Sequence, residues 1–175
     1  MNRSDVEAAL DDLARQVCER AAATEDLLVV GIRRRGVQLA SLLADRIAER
    51  TGRPVDTGSL DITLYRDDFA QIGPRPVIGS TELPGEITDR RVVIVDDVLH
   101  TGRTVRAAMD ELADFGRPSC IELCVLVDRG GRELPIQPDY VGRRIEVEPG
   151  TEVAVAVPEI DDVLEVRLVP VGETA

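Results

Sequence analysis

The feature that most constrains the fold is an apolar run followed directly by two acids. Residues 92–104 read VVIVDDVLHTGRT. Four consecutive β-branched residues, Val92 to Val95, are typical of a strand buried on both faces, as in parallel sheets covered by helices. The charges that follow mark the carboxyl end of that strand, where such sheets bind ligands. The run therefore predicts an α/β fold with a site at Asp96 and Asp97.

The remaining apolar pattern alternates between strand-like and helix-like segments. It predicts helices over residues 5–22, 37–50 and 104–115, and strands over 27–32, 60–64, 91–97 and 120–128. A long connection rich in Gly and Pro runs from residue 66 to residue 87, and such connections are often functional. Two alternating segments, 152–157 and 163–169, predict a closing β-hairpin.

This order of elements predicts one domain, residues 1–175, with a mainly parallel sheet flanked by helices and a small C-terminal hairpin, or hood. In such a sheet the turns after residues 32, 65, 95 and 127 face one another at one edge. No stretch approaches 18 consecutive apolar residues, and the N-terminus lacks the apolar core of a signal peptide. We therefore expect a soluble cytoplasmic protein without membrane partners.

Charge and composition exclude several kinds of site. The formal net charge is −12, and all 21 basic residues are arginine. A chain without lysine has no Walker A phosphate loop, no pyridoxal Schiff base and no lysine base. Its acidic surface argues against general affinity for nucleic acid.

The three cysteines carry no sign of a disulfide or a metal site. Cys120 and Cys124 lie on one predicted strand, about 13 Å apart along it, which is too far to bridge. We expect all three, including Cys18, to be buried structural thiols.

Asp96 and Asp97 repel each other, so the pair requires a cation, hydroxyl donors or a positive charge that develops during a reaction. The segment Thr101–Thr104 then opens a helix, where free amides and hydroxyls suit a phosphate dianion, and Gly102 allows close approach of the backbone. A ribose 5-phosphate fits both halves, because its hydroxyls donate to the carboxylates while its phosphate occupies the loop. The alternative is that the acids merely cap an ordinary strand-to-helix turn.

Residues 92–104 resemble the phosphoribosyl pyrophosphate (PRPP) motif of the type I phosphoribosyltransferases, which is an apolar strand, two acids, spacers and Thr-Gly-basic-Thr. Four segments, one of which overlaps this motif, are similar to the family of pyrimidine operon regulators and uracil phosphoribosyltransferases: GIRRRGVQLA (31–40), DITLYRDD (61–68), DDVLHTGRTVRAAMDEL (96–112) and VLVDRGGRELPI (125–136). The resemblance implies the type I phosphoribosyltransferase fold and a homodimer or homotetramer that makes uridine monophosphate (UMP) from uracil and PRPP with Mg²⁺. Some members of that family also bind leader RNA to attenuate transcription.

The resemblance also implies roles for individual residues. Asp96 and Asp97 would hold the ribose hydroxyls and act in catalysis, with magnesium reaching them through the substrate. Arg66, also counted as catalytic, belongs to the loop that covers the site. The implied substrate-binding residues are Val98, Leu99, Thr101, Gly102, Arg103 and Thr104 around the 5-phosphate, Arg34, Arg35 and Gly36 for pyrophosphate, and Asp128 and Arg129 beside the base. Two plain alternatives stay open, namely a solvated turn for residues 33–35 and a turn ion pair for Asp128 and Arg129.

The implied reaction is a displacement at the anomeric carbon, through an oxocarbenium-like state that the carboxylates stabilise. The chain departs from the family pattern in three places: His100 replaces a tyrosine, Gly131 replaces a histidine, and EVEPGTE (146–152) replaces a stretch rich in Pro, Thr and Ser that borders the base pocket. His100 either transfers a proton near the base or only shapes the loop.

Three functions remain compatible with the sequence. They are a uracil phosphoribosyltransferase, an RNA-binding attenuator that keeps the fold as a nucleotide sensor, and a transferase for another base. The acids Asp11 and Asp12 on the first helix predict weak RNA binding, because affinity for RNA comes largely from neutralised phosphates.

Overall fold

A computed structural model describes residues 1–20, 26–67 and 79–172 of the chain. Its main sheet has five strands in the order β2-β1-β3-β4-β5, all parallel. In chain order the strands are β1 (Leu27–Ile32), β2 (Asp56–Leu60), β3 (Arg91–Leu99), β4 (Cys120–Asp128) and β5 (Tyr140–Arg144). The predicted α/β fold with a mainly parallel sheet is confirmed.

Three long helices cover the two faces of this sheet: α1 (Arg3–Arg20), α2 (Arg35–Thr51) and α3 (Arg103–Phe115). Successive strand residues point to opposite faces. Leu27 and Val29 of β1 therefore join the core under α1 and α2, whereas Leu28 and Val30 join the core under α3. In the part of the chain that the structure describes, no helix has both the length and the apolarity to span a bilayer.

A small two-stranded sheet lies beside the main one. It comprises β6 (Thr151–Ala156) and β7 (Glu165–Pro170), which pair antiparallel and are joined through a short helix, α4 (Pro158–Asp161). Val155, Val157, Leu164 and Val166 pack into the core under α1 and α2. We call residues 151–170 the hood, and the predicted closing hairpin is confirmed.

The strand predicted over residues 60–64 is only partly correct. β2 ends at Leu60, and Ile62–Tyr65 forms a 3₁₀ helix. The reason is local: the Asp61 side chain accepts a hydrogen bond from the Thr63 N–H at 2.9 Å, and this cap competes with an extended backbone. The sequence interpretation also missed β5.

The expectation of three buried thiols is wrong for one of them. Cys124 is buried and Cys18 is partly buried, but Cys120 is exposed because it begins β4 at the rim of the sheet. All three are free. Residues 21 and 22 of the first predicted helix, and residues 68–78 of the long connection, lie outside the described residues.

Candidate active site

The two acids lie where the central strand β3 extends beyond its neighbour β1. β1 pairs with β3 only as far as Gly31 opposite Val95, whereas β3 and β4 remain paired up to Leu99. Asp96 therefore still belongs to the sheet, and the expectation that backbone pairing stops at the acids holds on the β1 side alone. The absence of a strand on that side opens a cleft beside both carboxylates.

Burial dominates the electrostatics of this pair. Asp96 is only 6% exposed. The Asp97 N–H donates to Asp96 Oδ1 at 3.0 Å, and the Val98 N–H donates to Asp97 Oδ1 at 2.8 Å. Burial raises the pKa of Asp96 well above its ordinary value, and the neighbouring Asp97 charge raises it further. Burial also raises the pKa of Asp97, and the positive charge of Arg35 partly offsets that rise. The pair favours a bound proton or an added positive charge.

The predicted phosphate loop stands at the start of α3. Gly102 has a left-handed backbone with φ 93°, a conformation that glycine adopts readily, and Arg103 is the first helical residue. The Arg103 N–H donates to Thr101 Oγ1 at 3.3 Å. A cavity of about 210 Å³ is lined by Arg66, Asp67, Thr101, Arg103 and Thr104. Hydroxyls and a helix N-terminus thus face a space suited to an anion, which would replace the Asp67 carboxylate as the partner of Arg103 at this site.

The predicted pyrophosphate turn connects β1 to α2. The peptide between Arg33 and Arg34 is cis. A side chain at Gly36 would bring its Cβ to 2.7 Å from the Val95 carbonyl oxygen, so α2 begins directly against β3. The Arg35 guanidinium donates to both carboxylate oxygens of Asp161, at 3.0 and 2.8 Å.

A central cleft of about 560 Å³ joins these parts. Of the residues predicted from the sequence, its wall contains Arg34, Arg35, Arg66, Asp96, Asp97, Val98 and Thr104. Asp61 and Thr63 also lie in the wall. Of the four turns expected to face one another, those after residues 32, 65 and 95 therefore contribute to this cleft, whereas the turn after residue 127 does not line it.

A second pocket, of about 280 Å³, lies between Asp97 and the hood, and we call it the hood pocket. On one side it is lined by Arg35 and Asp97, which also line the central cleft. On the other side it is lined by four consecutive residues of β6, 153–156, and by Asp161, Val163 and Arg167. The sequence interpretation missed these hood residues, because no local motif connects them to the acids.

Asp128 and Arg129, which the resemblance assigns to the wall beside the base, form other contacts. Asp128 accepts hydrogen bonds from Arg132 at 2.7 Å and from the Gly130 N–H at 3.0 Å. Arg129 donates to the Thr151 carbonyl oxygen at 2.9 Å. Neither residue lines the central cleft or the hood pocket. Asp128 thus forms an ion pair in this turn with Arg132 rather than with Arg129, and contact of Asp128 and Arg129 with the base stays a prediction.

His100 lies against the other substituted position. A Cβ at Gly131 would be 2.8 Å from His100 Nε2, so the two departures from the family pattern are in contact. Burial lowers the pKa of His100, and the Arg129 charge lowers it further. His100 is absent from the walls of both the cleft and the hood pocket. Its position fits a residue that shapes the loop, and proton transfer stays a prediction.

Comparison with known proteins agrees with this geometry. Residues 2–162 match the phosphoribosyl transferase domain family. The "Bifunctional protein PyrR" of Pelotomaculum thermopropionicum is 50% identical over 161 residues, which cover 92% of this chain and 89% of that protein. The protein of the same name from Desulfosudis oleivorans is 52% identical over 157 residues, covering 89% and 87%.

Two solved structures have the same fold at low sequence identity. The hypoxanthine phosphoribosyltransferase of Trypanosoma cruzi superposes with a TM-score of 0.70 at 15% identity, covering 97% of this chain and 94% of that one. A hypoxanthine phosphoribosyltransferase from Staphylococcus aureus gives 0.68 at 22% identity, covering 92% and 85%. At these identities the structures support the fold alone.

A five-stranded parallel sheet with two acids at the end of its central strand, a glycine turn at the start of α3 and a hood is the architecture of a type I phosphoribosyltransferase. The chain belongs to the phosphoribosyl transferase domain family and, within it, to the bifunctional PyrR proteins. The family and the fold expected from the sequence are both confirmed.

Proposed function

We propose that the protein is a uracil phosphoribosyltransferase, which makes UMP and pyrophosphate from uracil and PRPP. One observation carries the proposal: Asp97 lines both a cleft next to the phosphate loop and a smaller pocket under the hood. A sugar bound at Asp97 has its phosphate on one side and its anomeric carbon facing a space of about 280 Å³ on the other. That space is adequate for a single pyrimidine ring.

The buried acids would act on the sugar in two ways. Their carboxylates accept hydrogen bonds from the 2- and 3-hydroxyls, which orients the ribose. As the bond to pyrophosphate breaks, positive charge develops on the sugar, and a carboxylate pair fixed beside it stabilises that charge more than it stabilises the ground state. Burial raises the pKa of both acids, so a positive charge that develops beside them is favoured.

The donor's phosphates would be held by main chain and arginines. The 5-phosphate occupies the loop Thr101–Thr104, where the α3 N-terminus supplies amide groups. Pyrophosphate occupies the turn at residues 34–36, beside the start of α2. The reaction then leaves the nucleotide in the loop and frees pyrophosphate at the turn.

Magnesium would enter with the donor rather than reside in the protein. The described residues contain no group of three or more His, Cys, Asp or Glu side chains suited to a metal. The Asp96 and Asp97 carboxylates nevertheless fit Mg²⁺, which takes few protein oxygens and keeps substrate oxygens and waters as its other ligands. Bound there, the ion would neutralise charge on the departing pyrophosphate.

Uracil would be recognised by the hood. Four consecutive residues of β6 line the pocket, and the main-chain N–H and C=O groups on the β6 edge that does not pair with β7 would be available to a bound base. These groups can pair with the imide N–H and the carbonyl oxygens of a pyrimidine. This mode of recognition depends little on side-chain identity, so it is compatible with the EVEPGTE sequence that replaces the family's usual stretch.

The test is product formation from PRPP, Mg²⁺ and a panel of free bases that includes uracil, cytosine, hypoxanthine and guanine. We expect UMP and pyrophosphate in equal amounts from uracil, and no nucleotide from the purines. Nucleotide formation from hypoxanthine or guanine instead of uracil, or no product from any base, would contradict the proposal.

A regulatory role in the cytoplasm, as a homodimer or homotetramer, is the second activity that the resemblance implies. Direct RNA binding would be weak in this chain. On α1, Arg15 is paired with Asp12 and Glu19, and after β4 Arg132 is paired with Asp128. Each of these arginines would therefore have to exchange a carboxylate partner for an RNA phosphate, which lowers the gain from binding. Titration with pyrimidine-operon leader RNA and a scrambled control, with UMP present, tests this; submicromolar binding selective for the leader at physiological salt would overturn it.

A further inference from the structure

An ion pair links the pyrophosphate turn to the hood. Arg35, at the start of α2, donates from Nε and Nη2 to the two carboxylate oxygens of Asp161, at 3.0 and 2.8 Å. Asp161 Oδ2 also accepts the Val157 N–H at 2.9 Å, which fixes the carboxylate within the hood. The two side chains are 29% and 18% exposed. A two-point, largely buried pair of this kind holds a defined geometry, unlike a single contact on the surface.

The pair also stands at the boundary between the two cavities. Arg35 lines the central cleft and the hood pocket, whereas Asp161 lines the hood pocket alone. The Arg35 guanidinium therefore lies between two carboxylates, those of Asp97 and Asp161, and the charges of both raise its pKa. Removing the Asp161 charge would detach the hood from Arg35, which would keep its attraction to Asp97.

We propose that Asp161 is a positioning residue for the acceptor base. Through Arg35 it sets the distance between the hood and Asp97, and so the width of the pocket between them. The proposal rests on the assignment of that pocket to uracil under the proposed function. Asp161 acts on the base without contacting the donor's phosphates.

The experiment compares Asp161→Asn with Asp162→Asn. An Asn at 161 keeps an oxygen for the Val157 N–H but loses the charge that holds Arg35. Asp162 is the matched control: it is adjacent and exposed, and its left-handed backbone (φ 60°) is one that Asn tolerates. We expect Asp161→Asn to raise the KM for uracil about 10-fold, the lower end of the range for a lost hydrogen bond to a charged group. The KM for PRPP should not change, and Asp162→Asn should behave like the wild type.

A double variant decides whether the effect passes through Arg35. If it does, Asp161→Asn adds nothing to the uracil KM of an Arg35→Gln variant. A parallel rise in both KM values, equal behaviour of the two Asn variants, or additive effects with Arg35→Gln would overturn the proposal, because each indicates a general structural role or no role.

Amide hydrogen exchange distinguishes failure of this proposal from failure of the proposed function. Measured without substrates, exchange in β6 should be faster in Asp161→Asn than in Asp162→Asn, because the hood has lost its attachment to α2. If the wild-type protein makes no UMP, the proposed function is wrong. The exchange rates alone then show whether Asp161 holds the hood in place. Equal rates in the two variants would show that it does not.

Discussion

Replacing Asp96 by Asn should make the protein more stable and almost inactive. In the folded protein Asp96 is buried and accepts one hydrogen bond, from the Asp97 N–H. An Asn side chain keeps an oxygen for that bond and has no charge. The substitution therefore removes a buried charge and keeps the acceptor for the Asp97 N–H, while the new amide N–H groups can donate to the neighbouring Asp97 carboxylate.

The expected gain is about 1 to 3 kcal/mol in the free energy of unfolding at neutral pH, the usual cost of burying a poorly compensated polar or charged group. For a chain of this length that corresponds to about 2 to 12 °C in Tm. The gain should depend on pH. Burial raises the pKa of Asp96 in the folded state above 3.8, so the wild type is penalised at pH values above the raised pKa. The penalty disappears as the pH falls to 3.8 and the carboxyl takes up its proton.

The assay is urea unfolding of wild type, Asp96→Asn and an Asp45→Asn control, from neutral pH downward. Asp45 is exposed on α2, so its substitution should have no effect. Turnover of Asp96→Asn should fall about 10² to 10³-fold, the typical loss when one preorganised electrostatic contact is removed. Lower stability of Asp96→Asn at neutral pH, or a stability gap that does not change with pH, would refute the reasoning. Near-normal turnover in a folded Asp96→Asn, Asp97→Asn double variant would refute the catalytic assignment.

Three further substitutions test other parts of the structure. The His100→Tyr variant should keep the turnover and the pH profile of the wild type. A loss of turnover of about 10²-fold or more would instead identify an acid–base role for His100. Gly36→Ala should cost about 1 to 3 kcal/mol in urea unfolding and weaken PRPP binding, because its Cβ would meet the Val95 carbonyl oxygen at 2.7 Å. Tyr140→Phe should cost about 1 to 3 kcal/mol in the same assay, because the buried Arg91 guanidinium loses the hydroxyl that it contacts at 2.8 Å; an unchanged midpoint would contradict that contact.

The sequence predicts the elements whose signals are local. A buried parallel strand has a continuous apolar run, and a phosphate loop has its glycine and hydroxyls within four residues, so β3 and the start of α3 are readable directly. The hairpin of the hood is likewise visible from its alternation. In each case the residues that decide the structure are neighbours in the chain.

The features that were missed depend on distant contacts. Nothing in YVGRR predicts β5; the segment becomes a strand because it pairs with β4, where Gly142 lies against the Leu126 carbonyl oxygen. The Arg35–Asp161 pair joins residues 126 positions apart. The 3₁₀ helix after β2 is different, because Asp61 and Thr63 are close in sequence. The alternation of apolar and polar residues indicates a strand there, but the Asp61 side chain caps a helical turn instead.

A crystal structure of the protein with UMP tests the central claim most directly. We predict that the ribose hydroxyls lie within hydrogen-bonding distance of the Asp96 and Asp97 carboxylates, that the phosphate lies on the Thr101–Thr104 loop, and that the uracil ring lies between Asp97 and β6. A nucleotide bound away from the two acids, or a base on the far side of Asp97 from the hood, would contradict it.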